Sequence, residues 1–244
     1  MPTWKLTLAY EGTGFCGWQR QPQQRTVQGA LEAAWREVTD EQPQVTAASR
    51  TDSGVHAEGQ VVALVTEASL DAADVRGALN AKLPEDAAVV AVEAAPDNFH
   101  ATHDSIGKRY RYRVYNARVR PVAERRFVWH VPQPLDEAAM HRAGQALVGR
   151  HDFASFESAG SERESTVRTI RAVEVTRSGE EVSIEVEGDG FLYNMVRIIA
   201  GTLVEAGRGL REESWVAEAL AACDRRAAGQ TAPPQGLCLL RVFY

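Results

Sequence analysis

The sequence predicts an α+β fold of two fused, similar subdomains with largely antiparallel sheets flanked by helices. Three observations carry this expectation. Helix-like and strand-like segments are mixed without regular strand–helix–strand alternation. Residues 108–115 alternate strictly, and residues 167–177 and 181–187 read as paired strands across the turn Ser178-Gly179-Glu180. Each half also holds strands and a pair of helices. A boundary near residues 117–121 gives an N-terminal subdomain of residues 1–117 and a C-terminal one of residues 118–244.

In chain order, residues 4–10 alternate as a strand, which the glycines of Glu11-Gly12-Thr13-Gly14-Phe15-Cys16-Gly17-Trp18 end. That loop has the spacing of neither a dinucleotide fingerprint nor a P-loop, and no nucleotide role is assigned to it. Thr26 is an N-cap for an amphipathic helix running to about Val38 through Val27, Leu31, Ala34 and Trp35. Strands follow at residues 44–48, 60–66 and 87–94, with a helix near 71–81. Beyond the strand at 108–115 come a helix through 135–148, the strand pair, helices at about 191–206 and 212–222, and a last strand at 237–243.

A chain of 244 residues, 44% hydrophobic, can bury a substantial core. No apolar run approaches the ~20 residues needed to span a bilayer. The opening Met1-Pro2-Thr3-Trp4 lacks a signal peptide's apolar stretch, so a cytoplasmic location is expected. Three widely spaced cysteines suggest neither a disulfide framework nor a zinc knuckle. The net charge of −6 argues against a nucleic-acid partner, but its distribution argues the other way. Residues 107–126 carry Lys108, Arg109, Arg111, Arg113, Arg118, Arg120, Arg125 and Arg126 against the single acid Glu124. Aromatic rings interleaved with these cations suit RNA, whose bases stack on rings and guanidinium planes.

Asp52 lies in the polar turn Arg50-Thr51-Asp52-Ser53-Gly54-Val55-His56-Ala57. Asp-Ser-Gly is ordinary turn chemistry, yet Arg50 and His56 give this segment a density of polar groups rare in a plain connector. Arg197 stands in the mostly apolar run from Phe191 to Gly201. A buried guanidinium costs several kcal/mol without an anion, and no acid lies three or four residues away. Its partner must come from elsewhere in the fold, and the small Ala200 and Gly201 let another segment approach. In residues 108–115, Tyr110, Tyr112 and Val114 share one face and Arg109, Arg111 and Arg113 the other; Tyr110, at the strand's start, is the one placed to reach a cleft edge. His100 and His103 have no ligand set to complete a metal site.

With these residues in view, the chain resembles the tRNA pseudouridine synthase A (TruA) family over nearly its whole length. The resemblance rests on the Arg-Thr-Asp-Ser-Gly-Val-His-Ala string, Tyr10-Glu11-Gly12, Gly17-Trp18-Gln19-Arg20-Gln21, Phe99-His100-Ala101 and residues 108–116. It continues in Met195-Val196-Arg197 and Ala232-Pro233-Pro234-Gln235-Gly236-Leu237. It implies two similar halves around a central basic cleft, a homodimer, and conversion of uridine to pseudouridine at positions 38, 39 and 40 of the tRNA anticodon arm. It also implies that Asp52 is the nucleophile, that Arg50 assists base flipping, that Tyr110 stacks on the base and that Arg197 pairs with the aspartate. Thr102 departs from the pattern, which often has arginine directly after Phe-His-Ala. The isomerisation involves no net redox change or hydrolysis, so neither cofactor nor metal is expected. A non-catalytic tRNA-binding protein is the alternative; it would explain the basic strand but give Asp52 no task.

Overall fold

The computed structural model describes residues 3–68, 70–160 and 165–244. It is α+β, with two compact units: Met1–Ile106 with Leu239–Tyr244, and Gly107–Cys238.

The first unit is a sheet whose neighbours run β4-β1-β3-β10, with β2 added on β3. Strand β1 (Thr3–Tyr10) pairs antiparallel with β3 (His56–Val65) and with β4 (Ala87–Ala95). Strands β2 (Gln44–Ala47) and β10 (Leu237–Phe243) complete it. The alternation read in β1 becomes a buried row of Trp4, Leu6, Leu8 and Tyr10. Helix α1 (Val27–Thr39) starts where Thr26 accepts a hydrogen bond from the Gly29 N–H, and it buries Val27, Leu31, Ala34 and Trp35. Asp71 caps α2 (Ala72–Lys82) through the Asp74 N–H.

The second unit is a sheet in the order β5-β9-β8-β7. Strands β5 (Gly107–Tyr115), β9 (Glu181–Gly188), β8 (Val167–Ser178) and β7 (Gly149–Asp152) pair antiparallel in turn. The two-residue β6 (Trp129–His130) runs parallel to β5. Helices α3 (Glu137–Gly144), α4 (Met195–Gly207) and α5 (Trp215–Ala221) complete the unit.

Several expectations shift. The units divide at Ile106 and Gly107, not near residues 117–121, because β5 is paired along its length with β9. Most of the last strand belongs to the first unit, beside β3. The two-residue β6 and the four-residue β7 were not among the expected strands. Helix α4 begins at Met195 rather than 191, since Asn194 adopts a left-handed conformation with φ 61°. Helix α3 stops at Gly144, and residues Gln145–Leu147 tighten into a 3-10 turn. Among the described residues, no helix is long and apolar enough to cross a membrane.

Candidate active site

In the first unit, the Asp52 turn connects β2 to β3, and the glycine-rich loop after β1 holds it. The Trp18 N–H donates to the Thr51 carbonyl at 2.9 Å. The Phe15 carbonyl accepts from the Gly54 N–H at 3.4 Å and from the Ser53 hydroxyl at 3.3 Å. Within the turn, the Val55 N–H donates to the Asp52 carbonyl at 3.1 Å. The Gly12 N–H donates to His56 Nδ1 at 2.9 Å. Two glycines make this approach possible. A Cβ on Gly12 would lie 2.0 Å from the Val55 carbonyl oxygen, and Gly17 has φ +81° with the Thr51 oxygen 2.9 Å from its would-be Cβ. The loop that matches no nucleotide motif therefore serves as the clamp on the Asp52 turn.

The clamp is itself braced. The Arg25 guanidinium forms a fork onto Asp86, at 2.8 Å and 2.7 Å, lies 4.0 Å from the centre of the Phe15 ring and donates to the Gly14 carbonyl at 3.1 Å. Hydrogen bonding to Arg25 holds the Asp86 carboxyl below its ordinary value of 3.8. Within this frame Asp52 is half-buried and Arg50 is exposed. Thr102, where arginine often stands in the family pattern, donates its hydroxyl to the Ala47 carbonyl at 2.7 Å, at the end of β2.

In the second unit, Tyr110 is 6% exposed and its ring meets Phe191 edge-on, with centroids 5.2 Å apart. Tyr112, the next residue on the same face, is fully buried and donates its hydroxyl to the Pro233 carbonyl at 2.7 Å. Arg197, half-buried near the start of α4, donates through Nε to the preceding carbonyl, Ala232, at 2.8 Å. Its Nη1 donates to Asn194 Oδ1 at 2.6 Å. A strand residue and a helix residue thus grip successive carbonyls of one segment. Burial raises the Tyr112 phenol far above its ordinary 10.0, so it acts as a fixed donor. The close approach expected at Gly201 is present: a Cβ there would lie 1.9 Å from the Gln230 carbonyl oxygen.

The arginine face of β5 is tied to acids of β9. Arg109 pairs with Glu187 at 2.7 Å and Arg113 with Glu181 at 2.5 Å. Sequence reasoning did not foresee these cross-strand partners, which sit about 70 residues away and depend on sheet register. It assigned no role to Tyr10, which bonds Thr51, to Gln60, which bonds Ser49, or to Phe191, which meets Tyr110. Gln60 stands immediately before the apolar run Val61-Val62-Ala63-Leu64. His100 and His103 have ring centroids 4.0 Å apart, and His100 Nδ1 accepts from the N–H groups of Thr102 and His103, both at 3.2 Å. Among the described residues, no group of three or more His, Cys, Asp or Glu side chains could hold a metal ion.

Comparisons with known proteins give the arrangement its context. The family model described as tRNA pseudouridine synthase matches residues 7–104 and 143–244. The tRNA pseudouridine synthase A of Moorella thermoacetica is 48% identical over 247 residues, covering 100% of both chains. That of Myxococcus xanthus is 49% identical over 246 residues, covering 100% of this chain and 92% of its own. Clostridium perfringens tRNA pseudouridine synthase A 2 is 41% identical over 240 residues, covering 98% of each. A chain of a solved Cbf5–Nop10–Gar1 complex aligns with 96% of this chain and 57% of its own, at 11% identity and TM-score 0.38, a likeness too slight to carry a conclusion. The full-length identities and the two matched segments agree: this chain belongs to the tRNA pseudouridine synthase family.

Proposed function

We infer that the protein isomerises uridine to pseudouridine in tRNA, at positions 38, 39 and 40 of the anticodon arm, with Asp52 as nucleophile. In this reading it works as a cytoplasmic homodimer without cofactor or metal. The observation that supports it is the framework of the Asp52 turn: in a chain of this family, a half-buried carboxylate sits in a turn held by backbone and side-chain hydrogen bonds from residues 12–18. Such a fixed position is what a reacting group requires.

The reaction breaks the N1–C1′ bond and joins C1′ to C5 of the same base. N1 gains a proton and C5 loses one, so the base is isomerised without net oxidation. An ionised Asp52 acts on the ribose, by attack at C1′ or by removing a sugar proton. The target uridine first leaves the stack, at a cost of a few kcal/mol that phosphate contacts offset. Arg50 has the exposure needed to fill the vacated space. Tyr110 stacks on the detached uracil, and Arg197 pairs with the Asp52 carboxylate.

The test is tritium release from an anticodon stem-loop transcript carrying 5-tritiated uridine, with wild type and Asp52→Asn side by side and no added metal. Release by wild type alone, with pseudouridine in the product, is the expected result. A folded wild type that binds the RNA and releases nothing would leave a tRNA-binding protein as the better reading.

A further inference from the structure

The Asp52 turn rests on a buried polar chain that the proposed chemistry does not use. Tyr10, the last residue of β1, is 5% exposed, and its hydroxyl lies 2.7 Å from Thr51 Oγ1. Gln60, fully buried in β3, donates through Nε2 to the Tyr10 oxygen at 3.3 Å and to the Ser49 carbonyl at 2.6 Å. Its Oε1 accepts from the Ser49 N–H at 3.2 Å. A phenol has one proton to give. Its oxygen can also accept, so either hydroxyl of the Tyr10–Thr51 pair can be the donor while Gln60 donates into the Tyr10 oxygen. The chain therefore runs from Gln60 through Tyr10 to Thr51 and ends one residue before Asp52.

Burying an amide is costly unless it is satisfied. Gln60 is satisfied by doing what a neighbouring strand would do: beyond the end of β2 at Ala47, its amide pairs with both backbone polar groups of Ser49. The Tyr10 ring reaches the other side of the turn, with centroids 6.5 Å from Phe15 and 6.3 Å from Trp18. These are the two residues whose backbones bond Thr51 and Gly54. One side chain thus touches both supports of residues 49–54.

We propose that Tyr10 and Gln60 are positioning residues for the isomerisation: their hydrogen-bond chain to Thr51 and Ser49 sets where the Asp52 carboxylate stands. This rests on Asp52 being the nucleophile. A displacement of about 1 Å at a reacting group can cost about a hundredfold in rate, so loss of the strut acts on turnover rather than on RNA affinity.

The experiment compares kcat and KM for the anticodon stem-loop in wild type, Tyr10→Phe, Thr51→Val, Thr51→Ser, the Tyr10→Phe/Thr51→Val double variant and Asp52→Asn, with thermal melts of each. Tyr10→Phe and Thr51→Val each lower kcat by about tenfold or more, with KM within about twofold. Thr51→Ser, which keeps the hydroxyl, stays near wild type. The double variant is no slower than the slower single one, because both remove the same bond. Wild-type kcat in folded Tyr10→Phe, a loss confined to KM, or additive losses in the double variant would overturn the proposal. If Tyr10→Phe does not fold, the Thr51→Val and Thr51→Ser pair decides the matter by the same criteria. An inactive Asp52→Asn beside a fully active Tyr10→Phe removes the strut alone. An active Asp52→Asn removes the nucleophile reading, and the strut with it.

Discussion

The Gly12 N–H donates to His56 Nδ1 at 2.9 Å across 44 residues of sequence. A backbone N–H can only donate, so Nδ1 carries the lone pair and the proton of the neutral ring sits on Nε2. The buried imidazole closes the Asp52 turn onto the loop that holds it.

That tautomer is measurable. Nitrogen-15 NMR of the histidine rings at neutral pH should show His56 as the Nε2–H form. His56→Leu leaves the Gly12 N–H without this acceptor, a loss worth about 1–3 kcal/mol for a buried donor. His56→Asn retains an oxygen near the Nδ1 position and should unfold at a higher urea concentration than His56→Leu. Equal midpoints would show that the hydrogen bond carries no stability.

Gly12→Ala tests the clamp by steric means. The added methyl would sit 2.0 Å from the Val55 carbonyl oxygen, so loop or turn must move. The expected loss is about 2–3 kcal/mol in denaturant unfolding, near the top of the range for overpacking. Activity should fall with it even when the variant is assayed well below its melting temperature. Gly77→Ala, where nothing lies within 4 Å of the new methyl, serves as the control.

Arg197→Lys keeps the charge but not the fork. Lysine cannot reproduce the planar donor set that reaches the Ala232 carbonyl and Asn194 Oδ1 together. One of these bonds should be lost, lowering stability by about 1 kcal/mol. Thermal melts read this in the Asp52→Asn background as well, because neither bond involves Asp52. No shift in that background would mean that the two neutral acceptors do not hold the guanidinium in place.

The Arg25–Asp86 pair has a defined pH signature. The folded-state pKa of Asp86 is depressed, chiefly by its hydrogen bond to Arg25. The stabilisation is therefore present above the ordinary aspartate value of 3.8 and disappears as pH falls through the lower folded value. Unfolding midpoints of wild type and Arg25→Gln should differ at neutral pH and converge in acid. Because Arg25 is partly exposed, added salt should shrink the difference. A gap that persists below the aspartate range would assign the effect to Arg25 packing on Phe15 instead.

Much of the fold was legible because its signals are local. The Thr26 cap, the burial alternation of β1 and β5 and the β8–β9 hairpin arise among residues within a few positions of one another, where periodicity and capping act. The start of α4 was not, because the left-handed turn at Asn194 interrupts a run whose apolar pattern continues through it. The character of the Asp52 segment and the membership of the family were likewise carried by short strings of residues. By itself, then, the sequence determined the element types, the segment bearing the carboxylate and the family. Only the tertiary structure decided that the glycine loop clamps Asp52, that Tyr10 bonds Thr51 and Gln60 bonds Tyr10, and that the β5 arginines belong to β9 glutamates. Each of these joins residues tens of positions apart, through strand register and close backbone approach. Those are properties of the packed chain as a whole, and no window of neighbouring residues contains them.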